Sequence, residues 1–106
     1  MLIRKLMFAV AFILLLTAGA VQAGGDPAAG EELSVDCADC HGADGKGDED
    51  NPPIAGLDET EHFEMLKAFK SGELVDEDEV MLMFTEELSE QNMADLAAYY
   101  ATLDGS

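Results

Sequence analysis

The most specific chemistry in this sequence lies in the motif CADCH, in which Cys37, Cys40 and His41 combine two thiols with an adjacent imidazole. The chain has no other cysteine. A disulfide across so short a loop stabilises little. A thioredoxin-like redox pair needs a βαβ context, and no alternating β-branched run occurs in residues 24–106. A four-ligand zinc site needs more donors than His62, the one further histidine, can add.

The spacing C-x-x-C-H is instead the sequence signature of covalent haem attachment. Each thiol adds to one haem vinyl group, and the short offset lets both sulfurs reach the same porphyrin edge. The adjacent imidazole then points at the iron from one face. The sequence therefore predicts one haem c, held through Cys37 and Cys40, with His41 as an axial ligand of the iron.

An iron held by one histidine needs a second axial ligand or keeps an open position. Methionine is the usual partner in electron-transfer cytochromes, where it raises the reduction potential. The candidates after residue 23 are Met65, Met81, Met83 and Met93. Met65 and Met93 lie inside helical patterns, which favours a core position for both. Met81 and Met83 remain, in the loop between these two helices.

Three helical patterns surround these residues. Asp26 is a suitable cap for a first helix that leads into the CADCH motif. A second helix is predicted over 60–70, with Thr60 as its cap and Gly72 just past its end. A third begins after Ser89. The residues that share its apolar face are Met93, Leu96, Ala97, Tyr100 and Leu103.

The predicted fold is all-α, with about four short helices around one haem. Residues 42–58 (GADGKGDEDNPPIAGLD) form a turn-rich loop beside the haem. A domain of this size buries only about 60–65% of its unfolded surface and is marginally stable by itself. Haem is therefore expected to supply the apolar centre of the fold as well as its chemistry.

The first 23 residues have the pattern of a secretory signal peptide. Arg4 and Lys5 precede an apolar run of eleven residues, and Val21 and Ala23 have the spacing of a cleavage site. The run is short for a membrane span, which needs about 20 apolar residues. We expect cleavage near Ala23 and export to the periplasm, with an uncleaved membrane anchor as the alternative.

The remaining domain is strongly acidic. Residues 24–106 hold all 23 acidic side chains and only three lysines, Lys46, Lys67 and Lys70, which gives a formal net charge of −20. This charge excludes nucleic-acid binding by phosphate neutralisation and attraction to an anionic membrane. It fits a partner with a basic docking surface, or a saline medium in which the Debye length shrinks to about 3 Å. Solubility alone is a third explanation.

The chain resembles class I c-type cytochromes, and is similar to small soluble bacterial ones and to the single-haem halves of dihaem periplasmic ones. The resemblance covers residues 26–104 and identifies residues 24–106 as a cytochrome c domain. The matching stretches are CADCHGADGKG at 37–47, PPIAG at 52–56, LKAFKSGE at 66–73 and LSEQNMADLAAYY at 88–100.

The resemblance also implies roles for site residues. The family's axial methionine commonly precedes the Leu-Ser pair of the last helix by seven residues, which indicates Met81, with Met83 as the alternative. The proline or glycine often found near that methionine is missing here. The resemblance further implies that the Pro52 carbonyl accepts a hydrogen bond from His41. Pro53 is the alternative source of this carbonyl. The simpler interpretation of the two prolines is a rigid turn without such a hydrogen bond.

His62 has competing ligand chemistry, but it lies among acidic residues at the start of a helix. We therefore expect it on the solvated surface.

Two protein ligands saturate the iron, so we expect an electron carrier and not an enzyme. Single electrons would pass between redox partner proteins by Fe(III)/Fe(II) cycling. One alternative is a haem-based sensor or small-ligand binder in which Met81 is absent from the iron or easily displaced. Another is a cytochrome subunit of a larger dehydrogenase. The sequence also leaves open a homodimer, in which two copies would associate like the two halves of the dihaem relatives.

Overall fold

A computed structural model describes residues 24–106, so the predicted signal peptide lies outside the described residues. The all-α prediction is confirmed, and no strand occurs in the described range. The helices are α1 Pro27–Leu33, α2 Val35–His41, α3 Glu59–Ser71, α4 Val80–Thr85 and α5 Glu90–Ala101, with a 3-10 turn Glu77–Glu79 before α4. The count exceeds the expected four because α1 and α2 are separate and the segment with both candidate methionines is helical. None of these helices is long and apolar enough to cross a membrane.

The first and last helices pack closely against each other. Gly30 allows this approach, because a Cβ there would collide with the Asp95 carbonyl and lie 2.8 Å from the Tyr99 Cβ. One carboxylate oxygen, Oδ1 of Asp95, accepts hydrogen bonds from the Asp26 backbone nitrogen at 2.8 Å and from Gln91 Nε2 at 2.9 Å. These contacts hold α1, and therefore the α2 helix that follows it, on α5.

Two predicted helix caps are present. The Asp26 side chain accepts a hydrogen bond from the Ala28 amide at 3.0 Å at the start of α1. Ser89 begins α5 with a reciprocal capping box, in which Ser89 and Asn92 each accept from the other's backbone amide. Both helices therefore start where their capping residues indicate.

The start of α3 corrects one prediction. Asp58, and not Thr60, is its cap, since the Asp58 carboxylate accepts from the Glu61 amide at 3.1 Å. An aspartate caps at least as well as a threonine, and its charge also favours the positive end of the helix dipole. The other end agrees with the prediction, because Gly72 follows α3 in the left-handed conformation with φ 86°.

The core lies between α3, α5 and the end of the 42–58 loop. Cys37 and Met81 are among the partly buried residues that pack against it. Met65 is 40% exposed, so its predicted core position is wrong. The buried face of α3 is defined by His62 and Leu66, one turn apart, and Met65 falls beside that face. The core residues are Ile54, Leu66, Met93, Leu96 and Tyr100.

Candidate functional site

The two cysteines and the histidine of the CADCH motif all lie on α2. Cys37 and Cys40 are one helical turn apart and therefore project from the same side of the helix. Both are half-buried, and neither is in a disulfide. His41 is the last residue of α2, because Gly42 follows with φ 85° and ψ 153°, a conformation open essentially to glycine alone.

His41 is held in one orientation by a hydrogen bond to the backbone. Its side chain is buried, and its Nδ1 lies 2.8 Å from the carbonyl oxygen of Pro52. A carbonyl only accepts hydrogen bonds, so Nδ1 carries a proton, and in the neutral ring Nε2 then has the lone pair that a metal ligand needs. The carbonyl that contacts His41 is thus that of Pro52 and not that of Pro53.

The loop after α2 folds back so that the Pro52 carbonyl faces the histidine. The Gly47 amide donates to the His41 carbonyl at 2.7 Å, and the Asp48 amide donates to the Asn51 carbonyl at 2.9 Å. Gly47 has φ 70°, and a Cβ at this position would collide with the Asn51 oxygen and lie 2.8 Å from the Pro52 oxygen. Glycine is therefore needed here for both its backbone conformation and its small size.

The electrostatics of Cys37 differ from those of a reactive redox thiol. Burial raises the pKa of the Cys37 thiol, and a hydrogen bond with the Tyr100 side chain only partly offsets this rise. Burial also raises the pKa of Tyr100, so both groups are neutral at neutral pH. Catalytic cysteines have lowered pKa values and react as thiolates. The environment of Cys37 therefore favours a structural or haem-anchoring role over disulfide exchange.

The two candidate methionines differ in their surroundings. Met81 is half-buried and packs against the core, whereas Met83 is 65% exposed. The Met81 amide donates to the Asp76 carboxylate at 3.2 Å, and the fully buried Thr85 hydroxyl donates to the Met81 carbonyl at 2.7 Å. Met81 is therefore tied to the fold through both its backbone and its side chain.

His62 lies in the core, so its predicted surface position is wrong. It is 4% exposed, and its ring centroid is 5.6 Å from that of Tyr100 with the planes at 49°. Its Nδ1 has no hydrogen-bond partner among the described residues. Burial is the main reason why the pKa of His62 is lowered to about 4. Its acidic neighbours in sequence suggested solvent, and only its helical spacing from Leu66 pointed to the core.

Residues 27–104 match the sequence profile of the family described as Cytochrome c. The chain belongs to the cytochrome c family. The family binds haem c covalently through a cysteine pair with the spacing of Cys37 and Cys40. The residues present fit this group, because they place two unbridged thiols and a histidine with a free Nε2 lone pair on one helix. The predicted family resemblance and the predicted cofactor are confirmed.

Several cytochromes are similar to this cytochrome c over most of its length. Cytochrome c4 of Pseudomonas aeruginosa is 36% identical over 100 residues, which are 93% of this chain and 48% of that protein. Cytochrome c-554(548) of Halomonas halodenitrificans is 34% identical over 80 residues, 74% of this chain and 96% of the relative. Cytochrome c-554(547) of Halothiobacillus neapolitanus is 38% identical over 89 residues, 74% of this chain and 98% of the relative.

A crystal structure of reduced recombinant cytochrome c4 from Pseudomonas stutzeri has the same fold. It matches with a TM-score of 0.68 and 24% identity, over 76% of this chain and 51% of the other. The chain thus spans about half the length of the cytochromes c4 and nearly the full length of the two cytochromes c-554.

Proposed function

We propose that this cytochrome c is a periplasmic single-electron carrier, in which His41 and Met81 are the axial ligands of a haem iron. The carrying observation is the hydrogen bond from His41 Nδ1 to the Pro52 carbonyl at 2.8 Å. It leaves Nε2 as a metal ligand on the helix that also presents Cys37 and Cys40. Haem bound there supplies a reversible one-electron Fe(III)/Fe(II) centre.

The protein side chains each have a separate task in this proposal. Cys37 and Cys40 anchor the cofactor through thioether bonds. The Pro52 carbonyl fixes the plane of the His41 ring and makes the imidazole a stronger donor, which favours the ferric state. Packing of Cys37 against the core keeps water away from the attachment edge.

Met81 is supported as the second ligand by its position. It packs against the core together with Cys37, whereas Met83 is largely exposed. A thioether ligand from α4 would fill the last iron position and leave none open for a substrate. We therefore propose a carrier and not an enzyme.

The N-terminal segment is part of the same proposal. Residues 1–23 act as a signal peptide that is removed near Ala23, and residues 24–106 remain as the haem domain. The basic start and the eleven-residue apolar run support this division. The intact mass of the exported protein tests it directly, because a retained anchor would add the mass of the first 23 residues.

The surface charge supports a basic redox partner. Lys67 contacts Glu64 at 3.4 Å and Glu90 at 3.7 Å, and Lys70 Nζ donates to the Leu88 carbonyl. Two of the three lysines in the described range are thus engaged within the domain. The remaining surface is dominated by carboxylates, which attract a partner with a basic docking surface.

Salt dependence separates a basic partner from adaptation to a saline medium. A basic partner predicts electron-transfer rates that fall steeply as ionic strength rises. Salt adaptation predicts a rise in melting temperature with little loss of rate, because screening relieves self-repulsion. Stopped-flow reduction and thermal melts across a salt series measure both, and sedimentation in the same buffers shows whether two copies associate. If neither the electron-transfer rate nor the melting temperature changed with salt concentration, both explanations would be contradicted.

The function itself is tested on the exported protein, produced with a haem-attachment system. We expect haem that survives acid-acetone extraction, an iron–methionine absorption band in the oxidised form, and a reversible one-electron titration. Two free thiols, or haem lost on extraction, would overturn the proposal. Carbon monoxide binding to the native reduced protein would favour a sensor or ligand binder instead.

A further inference from the structure

The acidic run DEDE at 76–79 contains one side chain that differs from a solvated surface charge. Asp76 is half-buried, whereas the three acidic residues that follow it are exposed. Both carboxylate oxygens of Asp76 accept a hydrogen bond from the backbone amide of Met81, at 3.2 and 3.3 Å. Asp76 therefore acts directly on the residue that is the proposed iron ligand of the α4 side.

This hydrogen bond closes a loop, residues 76–81, whose backbone is strained. Asp78 and Glu79 have φ values of 64° and 55°, although neither is glycine. Strained conformations of this kind persist only where surrounding contacts hold them, and they are common at ligand clamps and switch segments. The Glu79 amide also donates to the Asp76 carbonyl at 3.1 Å. Asp76 therefore holds the loop closed through both its main chain and its side chain.

Helix α4 has little else to hold it in place. It has six residues, which is too short for a stable helix without tertiary contacts. Among the helices of residues 24–106, it packs only against α3 and the 3-10 turn before it. The first amides of a helix lack partners within it, and Glu79, the residue before α4, provides no side-chain cap. Asp76 supplies a missing partner at Met81 itself.

Asp76 also connects Met81 to a part of the fold that does not move with α4. Two residues before Asp76, the Leu74 amide donates to the Ala68 carbonyl of α3 at 3.1 Å. The other side chain that contacts the Met81 backbone, Thr85, lies in α4 and would move together with it. The Asp76 carboxylate is therefore the contact that fixes the Met81 backbone relative to α3.

We propose that Asp76 keeps Met81 on the haem iron, and thereby makes this cytochrome c an electron carrier instead of a binder of small ligands. The proposal rests on the proposed function, since it concerns the ligation by Met81 proposed there. Asp76 is a positioning residue, because it contacts the backbone of Met81 and not the iron. When imidazole enters, the iron–sulfur bond breaks and an iron–nitrogen bond forms, without transfer of an electron or a proton. Loss of the Asp76 hydrogen bond favours this exchange, because it frees the strained loop to open.

Titration of the oxidised, haem-loaded protein with imidazole tests the proposal, with loss of the iron–methionine absorption band as the signal. A hydrogen bond to a charged acceptor is strong enough to change an equilibrium by about tenfold. We expect Asp76→Ala to bind imidazole about tenfold more tightly than the wild-type protein. Asp76→Asn keeps one acceptor oxygen and should lie between the two. If Asp76→Ala had the wild-type affinity for imidazole, the proposal would be overturned.

Two kinds of control separate the hydrogen bond from other effects. Glu77→Ala and Glu77→Gln remove the same charge from the neighbouring, exposed side chain, so we expect both to keep the wild-type affinity. Ser89→Ala removes the cap of α5 and should lower the melting temperature without raising the imidazole affinity. An equal rise in affinity in either control would overturn the proposal, because charge or stability would then be the cause.

A further measurement uses the wild-type protein alone. Hydrogen exchange followed by nuclear magnetic resonance reports how often the Met81 amide is released from Asp76. We expect this amide to exchange about tenfold faster or more in the imidazole complex than in the ligand-free protein. Equal exchange rates would overturn the proposal, because Met81 would then leave the iron with its hydrogen bond intact.

The failure of this proposal can be distinguished from the failure of the proposed function. The carrier proposal stands if the wild-type protein shows the iron–methionine band and a reversible one-electron titration, whatever the Asp76 variants do. If the wild-type protein lacked the band, ligation by Met81 would be overturned first, and the role of Asp76 with it.

Discussion

The two sides of the proposed haem site are built in different ways. The α2 side, residues 37–52, changes direction at three glycines with positive φ, namely Gly42, Gly45 and Gly47. The α4 side, residues 76–85, makes its turn with Asp78 and Glu79, whose φ values are 64° and 55°. Left-handed backbone costs a non-glycine residue about 1–2 kcal/mol. The α2 side is therefore relaxed, whereas the α4 side is strained.

The two sides also differ in what holds them. On the α2 side, His41 contacts a carbonyl in the loop that directly follows it, at Pro52. On the α4 side, Met81 depends on the Asp76 carboxylate and on packing of α4 against α3. We therefore expect the α2 side to anchor the cofactor and the α4 side to unfold first. Four predictions test this contrast.

The largest effect is expected from removal of the anchor. Cys37→Ala/Cys40→Ala should leave a largely unfolded chain without haem, because the core loses its centre and total stabilities are only about 5–15 kcal/mol. Circular dichroism and intact mass measure this. Single-cysteine variants, which keep one thioether, should retain part of the fold. If the double variant were helical and unfolded cooperatively, the protein's side chains alone would be sufficient for folding without haem.

The next effect concerns the ligand on the α4 side. Met81→Ala should remove the iron–methionine band and lower the potential by about 0.1 V or more, within the roughly 0.8 V that axial ligands span. Met83→Ala is the matched control and should leave both properties nearly intact, since Met83 is 65% exposed. Absorption spectra and potentiometry of both variants give the answer. The opposite result would make Met83 the ligand.

A smaller effect is expected where the backbone supports His41. Gly47→Ala should destabilise the protein by about 1–3 kcal/mol, because of strained φ and the collision with the 51–52 backbone. It should also raise the potential, since a displaced Pro52 carbonyl makes His41 a weaker donor. Gly72→Ala is the control, because Gly72 also has positive φ but a Cβ there meets nothing within 4 Å. If Gly72→Ala moved the potential equally, the carbonyl would not be the cause.

The smallest effect is expected from relief of backbone strain on the α4 side. Glu79→Gly should stabilise the protein by about 0.5 kcal/mol, because relief of left-handed strain slightly exceeds the extra entropy of the unfolded chain. This is a rise in melting temperature of about 2–4 °C. Glu77→Gly removes the same charge at a residue without positive φ and should lower the melting temperature. A drop in both variants would show that the strain is negligible.

Several features could be predicted from the sequence because they depend on residues a few positions apart. The CADCH motif places its thiols and imidazole on one helix through spacing alone. Asp26 and Ser89 cap α1 and α5, and Gly72 follows the last residue of α3, because each acts on amides or carbonyls within one turn. These local signals together specified an all-α fold, and the motif specified the cofactor.

Burial was decided by the tertiary structure. His62 and Met65 lie on the same helix, and which of them enters the core depends on where α5 meets α3. The first five residues of α4, Val80–Phe84, are all apolar, so their own pattern does not separate a half-buried Met81 from an exposed Met83. A cap or a motif depends on residues a few positions away in the sequence. The buried face of a helix depends on a surface that is distant in the sequence and packs against that helix.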